Sequence, residues 1–158
     1  MTGVDASAAA RELRAWLGRH PRWVGAVFLF CLYMAVLYMP FDILLKPLYQ
    51  EIAEAEDVWF GIILRGWAAK ATEPLHWLVY GALAWGLWKE RTWVWPAAAL
   101  YVGQVALAML VWNVREEGGR GWPGGLAAFA LFGALAVALW RYGSRGSRAD
   151  RSASSAPA

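Results

Sequence analysis

Glu73, His76 and Tyr80 follow one another at spacings of three and four, which puts a carboxyl, an imidazole and a phenol on one face of a helix. Such a set could move protons, because general acid–base chemistry needs a titratable group held against a partner. Lys70 lies just upstream, and Asp42, Gln104 and Asn113 punctuate other, largely apolar stretches. Brought together, Asp42, Lys70, Glu73, His76, Tyr80, Gln104 and Asn113 are the predicted ligand-binding set. A metal centre is not expected. Glu-x-x-His is half of a di-metal helix motif, the second half is missing, and the only other histidine, His20, lies far from the first. No Ser-His-Asp order, phosphate-binding loop, dinucleotide fingerprint or cysteine pair accompanies these residues, so no cofactor is expected and no catalytic residue is assigned. Cys31 is the only cysteine, which excludes an intrachain disulfide.

The elements that must position these groups are helices in a membrane. The chain is 59% hydrophobic and 17% charged over 158 residues, more apolar surface than a soluble domain of this length can cover. Four apolar stretches stand out: Trp23–Met39, Glu73–Trp88, Trp93–Trp112 and Trp122–Trp140. Most of the 12 tryptophans, Trp77 among them, fall near stretch ends, as in the aromatic belts of membrane proteins. The expected fold class is all-α: an integral membrane four-helix bundle with an interfacial element between helices 1 and 2. Residues 1–22 form an N-terminal cytoplasmic segment, 23–142 the membrane domain and 143–158 a disordered cytoplasmic tail. Trp23–Met39 reads as a retained signal anchor, since no small-residue cleavage site follows it.

Charge orients the bundle. Ten of the 15 basic residues flank the side holding both termini and the 89–91 turn, and five flank the other. The positive-inside rule then places both termini in the cytoplasm, here of a bacterial inner membrane. The same split argues against nucleic acid as a partner; the lipid bilayer is the expected one.

Details within the stretches carry further expectations. Pro40 should end the first span. Thr72-Glu73-Pro74 reads as a helix start, so the second span should begin there, after a break, the alternative being a helix that continues back through Trp67–Ala71 with a kink at Pro74. Tyr101, Gln104, Ala108 and Trp112 share a face of the third, which should point inward because Gln104 needs a partner. Ala130, Ala134 and Ala138 recur every fourth position in the last, a stripe suited to close helix approach. Leu13, Trp16 and Leu17 share one face of an N-terminal amphipathic helix. Val58–Trp67 is too short to span and reads as an interfacial helix or shallow re-entrant element, with a short strand as the alternative. Trp59, Phe60, Ile63 and Trp67 should pack against the bundle or the interface.

The run Trp59-Phe60-Gly61, four residues, Gly66-Trp67-Ala68-Ala69-Lys70, one residue, Thr72-Glu73-Pro74-Leu75-His76-Trp77 resembles a signature of small, uncharacterised four-span bacterial inner-membrane proteins. The resemblance extends over residues 40 to 113 and implies architecture, not activity. Tryptophan-rich sensory proteins are similar in size and aromatic content but have five spans, with Lys46-Pro47 the only local echo. Sterol-isomerase-like four-helix membrane proteins are similar in architecture alone. Function is therefore read from the site. The first reading is an outer-side pocket that binds an apolar small molecule or lipid. The alternatives are an accessory or assembly subunit packed against a membrane partner or a second copy, and a membrane enzyme with Glu73 and His76 as acid and base on a lipid.

Overall fold

The computed structural model describes residues 6–45 and 51–154, with side chains as far as Ser144. Expectations about Lys46, Pro47 and residues 155–158 lie outside the described residues. Helix α1 spans Ala6–Arg19. Helix α2 (Arg22–Tyr33), a π-helical turn (Met34–Tyr38) and α3 (Met39–Leu44) form one continuous rod. After a 3-10 turn (Ile52–Glu54) come strands β1 (Glu56–Trp59) and β2 (Ile62–Arg65), then α4 (Trp67–Trp88), α5 (Val94–Arg115) and α6 (Gly121–Ser154). The chain is thus mostly helical, but the small antiparallel sheet corrects the all-α expectation.

Three helical segments are long and apolar enough to cross a membrane: Arg22–Leu44, Val94–Arg115 and Gly121–Ser144. Helix α4 matches α5 at 22 residues but is not among them. Its first half carries Lys70, Glu73 and His76, which lowers its mean hydropathy below that of the other three. Leu29, Phe30, Val36, Leu78, Leu100 and Leu131 are exposed on the outer faces of the helices, a surface suited to lipid rather than water.

One end of the molecule is closed by aromatic packing. Trp16 on α1 is 2% exposed and rests against Phe28 and Trp88, with ring centroids 4.6 and 6.2 Å away. Leu13 and Leu17 pack beside it, so α1 uses its apolar face against the rods. Arg19 and His20 meet Glu90 in the α4–α5 turn at 3.2 and 3.4 Å, and Trp23 meets Tyr142 on α6 at 5.4 Å. At the opposite end Arg65 of β2 meets Glu116 after α5 at 3.0 Å.

Helices α5 and α6 pack most closely, through a face other than the alanine stripe. Ala130 and Ala134 are exposed, whereas Gly125 is buried and Leu139 fully so. A Cβ at Gly125 would lie 3.1 Å from the Leu110 carbonyl oxygen, and one at Gly143 only 2.2 Å from Trp95 Cβ. A period of four drifts around a 3.6-residue helix, so a long stripe cannot stay on one contact face. Helix α6 also continues past Tyr142 to Ser154, where a disordered tail was expected. Arginine and alanine are good helix formers, and extending an existing helix avoids the cost of nucleation.

Neither proline break occurs. At Pro40 the helix changes register instead: the Met39 N–H reaches back five residues to the Met34 carbonyl. In that register the carbonyl left without a donor by the proline belongs to Ala35, and Trp77 Nε1–H donates to it at 2.7 Å. Trp77 is thereby explained as a mid-helix strut between two rods, not a belt residue. At the other proline, α4 starts earlier than expected, at Gly66 with φ 58°, and runs through Pro74. Thr72 Oγ1 lies 2.5 Å from the Ala69 carbonyl oxygen, an intrahelical bond, so it is not an N-cap.

The segment read as an interfacial helix or re-entrant element is a hairpin. Phe60 and Gly61 both have positive φ, 48° and 83°, as a two-residue type I′ turn requires. Trp59 pairs with Ile62 and Val58 with Ile63. Strand alternation then splits the expected contacts: Val58 is buried, Trp59 and Ile63 are half-buried, and Phe60 and Trp67 are exposed.

Candidate functional site

Where the hairpin sits over the rods, a cavity of about 520 Å³ opens between α3, α4, α5 and β1. The elements divide its lining. The 3-10 turn and β1 supply Glu54, Glu56 and Asp57, while Asp42 comes from α3 and Glu73 from the second turn of α4. The rest of the lining comes from Met34 and Tyr38 of the π turn, Tyr80 of α4, and Tyr101, Val105 and Met109 of α5. The π turn widens the α2–α3 rod beside the cavity, a local geometry that often accompanies functional sites.

Asp57 is the hub of the upper wall. Its Oδ1 accepts the Val58 N–H at 2.8 Å, and its Oδ2 accepts Trp59 Nε1–H at 2.7 Å and the Thr72 hydroxyl. His76 Nε2 lies 3.0 Å from the same Oδ2, and His76 Nδ1 lies 2.5 Å from the Tyr101 hydroxyl. Tyr101 is hydrogen-bonded in turn to Tyr80, whose ring it meets edge-on at 5.4 Å. With Asp57 ionised and His76 neutral, the donors have one consistent direction. Tyr80 donates to Tyr101, Tyr101 to Nδ1, and Nε2–H to Asp57. Partial burial opposes ionisation of Asp57. The hydrogen bonds from His76 and Thr72 and the Val58 N–H outweigh it and hold the carboxyl below the usual carboxylate range.

A second cluster lies beside the first. Lys70 Nζ meets Glu73 Oε1 at 2.7 Å and the Asp42 carbonyl at 3.4 Å, and the Glu73 and Asp42 carboxyl groups are in hydrogen-bonding contact. Three positions of separation put Glu73 and His76 on neighbouring faces of α4, but each is taken by a different partner. The expected acid–base couple between them is therefore replaced by Asp57–His76 and Lys70–Glu73.

Gln104 is 6% exposed and lines the cavity. Its Nε2–H donates to the Val58 carbonyl at 3.0 Å, which supplies the partner its depth demands. Its Oε1 is buried without a hydrogen-bond partner among the described residues.

Of the predicted site residues, Asp42, Glu73, His76, Tyr80 and Gln104 line the cavity, and Lys70 stands behind Glu73. Asn113 does not reach it. Its Nδ2–H donates to the Met109 carbonyl at 2.8 Å and its Oδ1 accepts the Arg120 N–H at 3.2 Å, so it stitches α5 to the turn before α6. Two important residues were not on the candidate list. Tyr101 shares the Gln104 face, and that signal could have added it. Asp57 sits in an acidic stretch, and only the fold separates it from its neighbours. Among the described residues no group of three or more His, Cys, Asp or Glu is arranged to hold a metal ion. No family model, curated protein or solved structure matches the chain.

Proposed function

We propose that this is a multi-pass protein of a bacterial inner membrane that binds an apolar small molecule or lipid in the cavity beneath the hairpin. In this reading α4 crosses the membrane as a fourth rod, shielding its polar first half inside the protein. The α1 end faces the cytoplasm, where the basic residues concentrate, and the hairpin faces the opposite side. The architecture is then that of the four-span proteins whose Trp59–Trp77 signature the chain resembles. The observation that carries the reading is the mixed lining: carboxyl groups together with methionine, valine and tyrosine side chains around one cavity. Pockets that orient amphiphiles combine apolar walls with a few converging polar groups in this way. Native mass spectrometry of protein released from its own membranes is expected to show a retained amphiphile. Val105→Trp, which fills the cavity, is expected to shed it. Identical retained lipid in the two forms overturns the reading.

The hydrogen-bond chain from Tyr80 through Tyr101 and His76 to Asp57 favours a second reading, an enzyme that shifts a proton on a bound lipid. His76 would exchange the proton with substrate through Tyr101, and Asp57 would hold the imidazole in the required tautomer. Its signature is chemical change in the retained molecule with wild-type protein, absent with His76→Gln. Unchanged molecules after prolonged incubation with wild type reject it.

A further inference from the structure

Among the described residues the cavity wall carries five carboxyl groups, those of Asp42, Glu54, Glu56, Asp57 and Glu73, and no lysine or arginine. The nearest cations are already engaged, Lys70 with Glu73 at 2.7 Å and Arg65 with Glu56 at 3.1 Å and Glu116 at 3.0 Å. Glu73, Glu56 and Asp57 thus each have one basic partner, Lys70, Arg65 and His76, and among the described residues the carboxyl groups of the wall still outnumber the cations beside them, a balance that a further cation improves.

Gln104 makes the same demand independently. The Val58 carbonyl can only accept, so the amide nitrogen must face it, and the amide cannot be flipped to relieve the other side. Its Oε1 is thus a buried acceptor with no donor among the described residues. Such a group is unfavourable by about 1–3 kcal/mol until a donor arrives.

We propose that the cavity takes the head of an amphiphile bearing a primary ammonium group, which donates to Gln104 Oε1 and pairs with the surrounding carboxylates while its alkyl portion lies along Met34, Val105 and Met109. The proposal rests on the reading of the cavity as an amphiphile site and names the head that the site selects. An anionic head would meet five carboxyl groups. A quaternary ammonium carries charge but no N–H for Gln104, and an alcohol offers a donor without the charge. Of these four heads only the primary ammonium supplies both. The source is either an aminophospholipid of the bilayer or a free long-chain amine.

The full chain in a non-ionic detergent is titrated with dodecylamine, dodecyltrimethylammonium, dodecanol and dodecyl sulfate, following tryptophan fluorescence. Dodecylamine is expected to bind at least about tenfold more tightly than the other three. Gln104→Met is expected to lower amine affinity about tenfold and to leave dodecyltrimethylammonium unchanged. The wild-type selectivity series decides the matter even where that variant fails to fold. Equal binding of amine and alcohol, or of amine and trimethylammonium, overturns the ammonium proposal and leaves the amphiphile site standing. Binding of none of the four overturns both. In nanodiscs, displacement of dodecylamine by phosphatidylethanolamine but not by phosphatidylcholine supports the proposal with a bilayer lipid as source. Displacement by neither supports it with a free amine as source. Displacement by phosphatidylcholine as readily as by phosphatidylethanolamine overturns it.

Discussion

The two ends of the helical rods are held together by different physics. At the α1 end, Trp16, Phe28, Trp88, Leu87 and Val94 form an apolar cluster in which Trp16, Leu87 and Val94 are almost completely buried. At the hairpin end, side chains meet through hydrogen bonds: Asp57 with Trp59, Thr72 and His76, His76 with Tyr101, and Gln104 with Val58. Apolar packing is non-directional and leaves little space. A polar network must satisfy angles and partners, and it tolerates a cavity because its groups are held by one another rather than by filling volume. The difference separates a densely packed end from an end that holds a cavity within one short chain.

Trp16→Ala tests the apolar end and should have the largest effect. Removing a buried indole there is expected to cost about 3–5 kcal/mol in unfolding free energy, read by thermal or denaturant unfolding in detergent. Retention of a bound amphiphile by the protein that remains folded should be unchanged, because the cavity lies at the other end. Coupled loss of ligand would erase the division between the ends.

Asp57→Asn keeps the shape of the hub and removes its charge. A loss of about 1–3 kcal/mol is expected, together with loss of ligand retention, since hydrogen bonds to a charged acceptor are replaced by weaker ones. A stability change with intact retention would assign Asp57 to scaffolding alone.

The same residue predicts a pH dependence. Its folded carboxyl titrates below the unfolded value of about 3.9, so its contribution is complete above that pH. As pH falls below about 4 and through the folded value, the folded state loses this contribution. Melting temperature should therefore drop more steeply below pH 4 in wild type than in Asp57→Asn; parallel curves for the two proteins would contradict the network geometry.

Trp77→Phe keeps the ring between the rods and deletes the N–H that serves the Ala35 carbonyl. An intermediate cost of about 1 kcal/mol is expected, measured by unfolding in detergent, because one interhelical hydrogen bond is lost. A neutral result would mean that the π turn satisfies that carbonyl some other way.

Arg19→Gln should have the smallest effect, within about 0–1 kcal/mol. The Arg19–Glu90 pair is exposed on both sides, at 61% and 50%, and such pairs contribute little. A larger loss, or one insensitive to added salt, would show the α1 end to rely on charge as well as packing.

Several features of the molecule are legible in the chain alone. Long apolar runs produce helices because a segment in lipid must satisfy its own backbone hydrogen bonds. The i, i+3, i+4 spacing is a local property, so it puts Glu73, His76 and Tyr80 along one side of α4 and Tyr101 with Gln104 on α5 in any fold these helices adopt. With Asp42, that nominated half of the cavity's polar lining and missed the carboxyl groups of Glu54, Glu56 and Asp57. What each group binds was not local. His76 finds Asp57 across 19 positions and Tyr101 across 25, while Glu73 turns to Lys70 and Asp42. Asn113 has the composition of a site residue and became a helix-end clasp because its nearest unsatisfied backbone groups lay in the next turn. The prolines follow the same logic. Pro40 and Pro74 have a strong local tendency to end helices, and both were absorbed by their surroundings. At Pro40 a change of register and a tryptophan from the neighbouring rod met the backbone's demand. Local periodicity determines which groups share a face, and only the tertiary structure decides which partner reaches each of them.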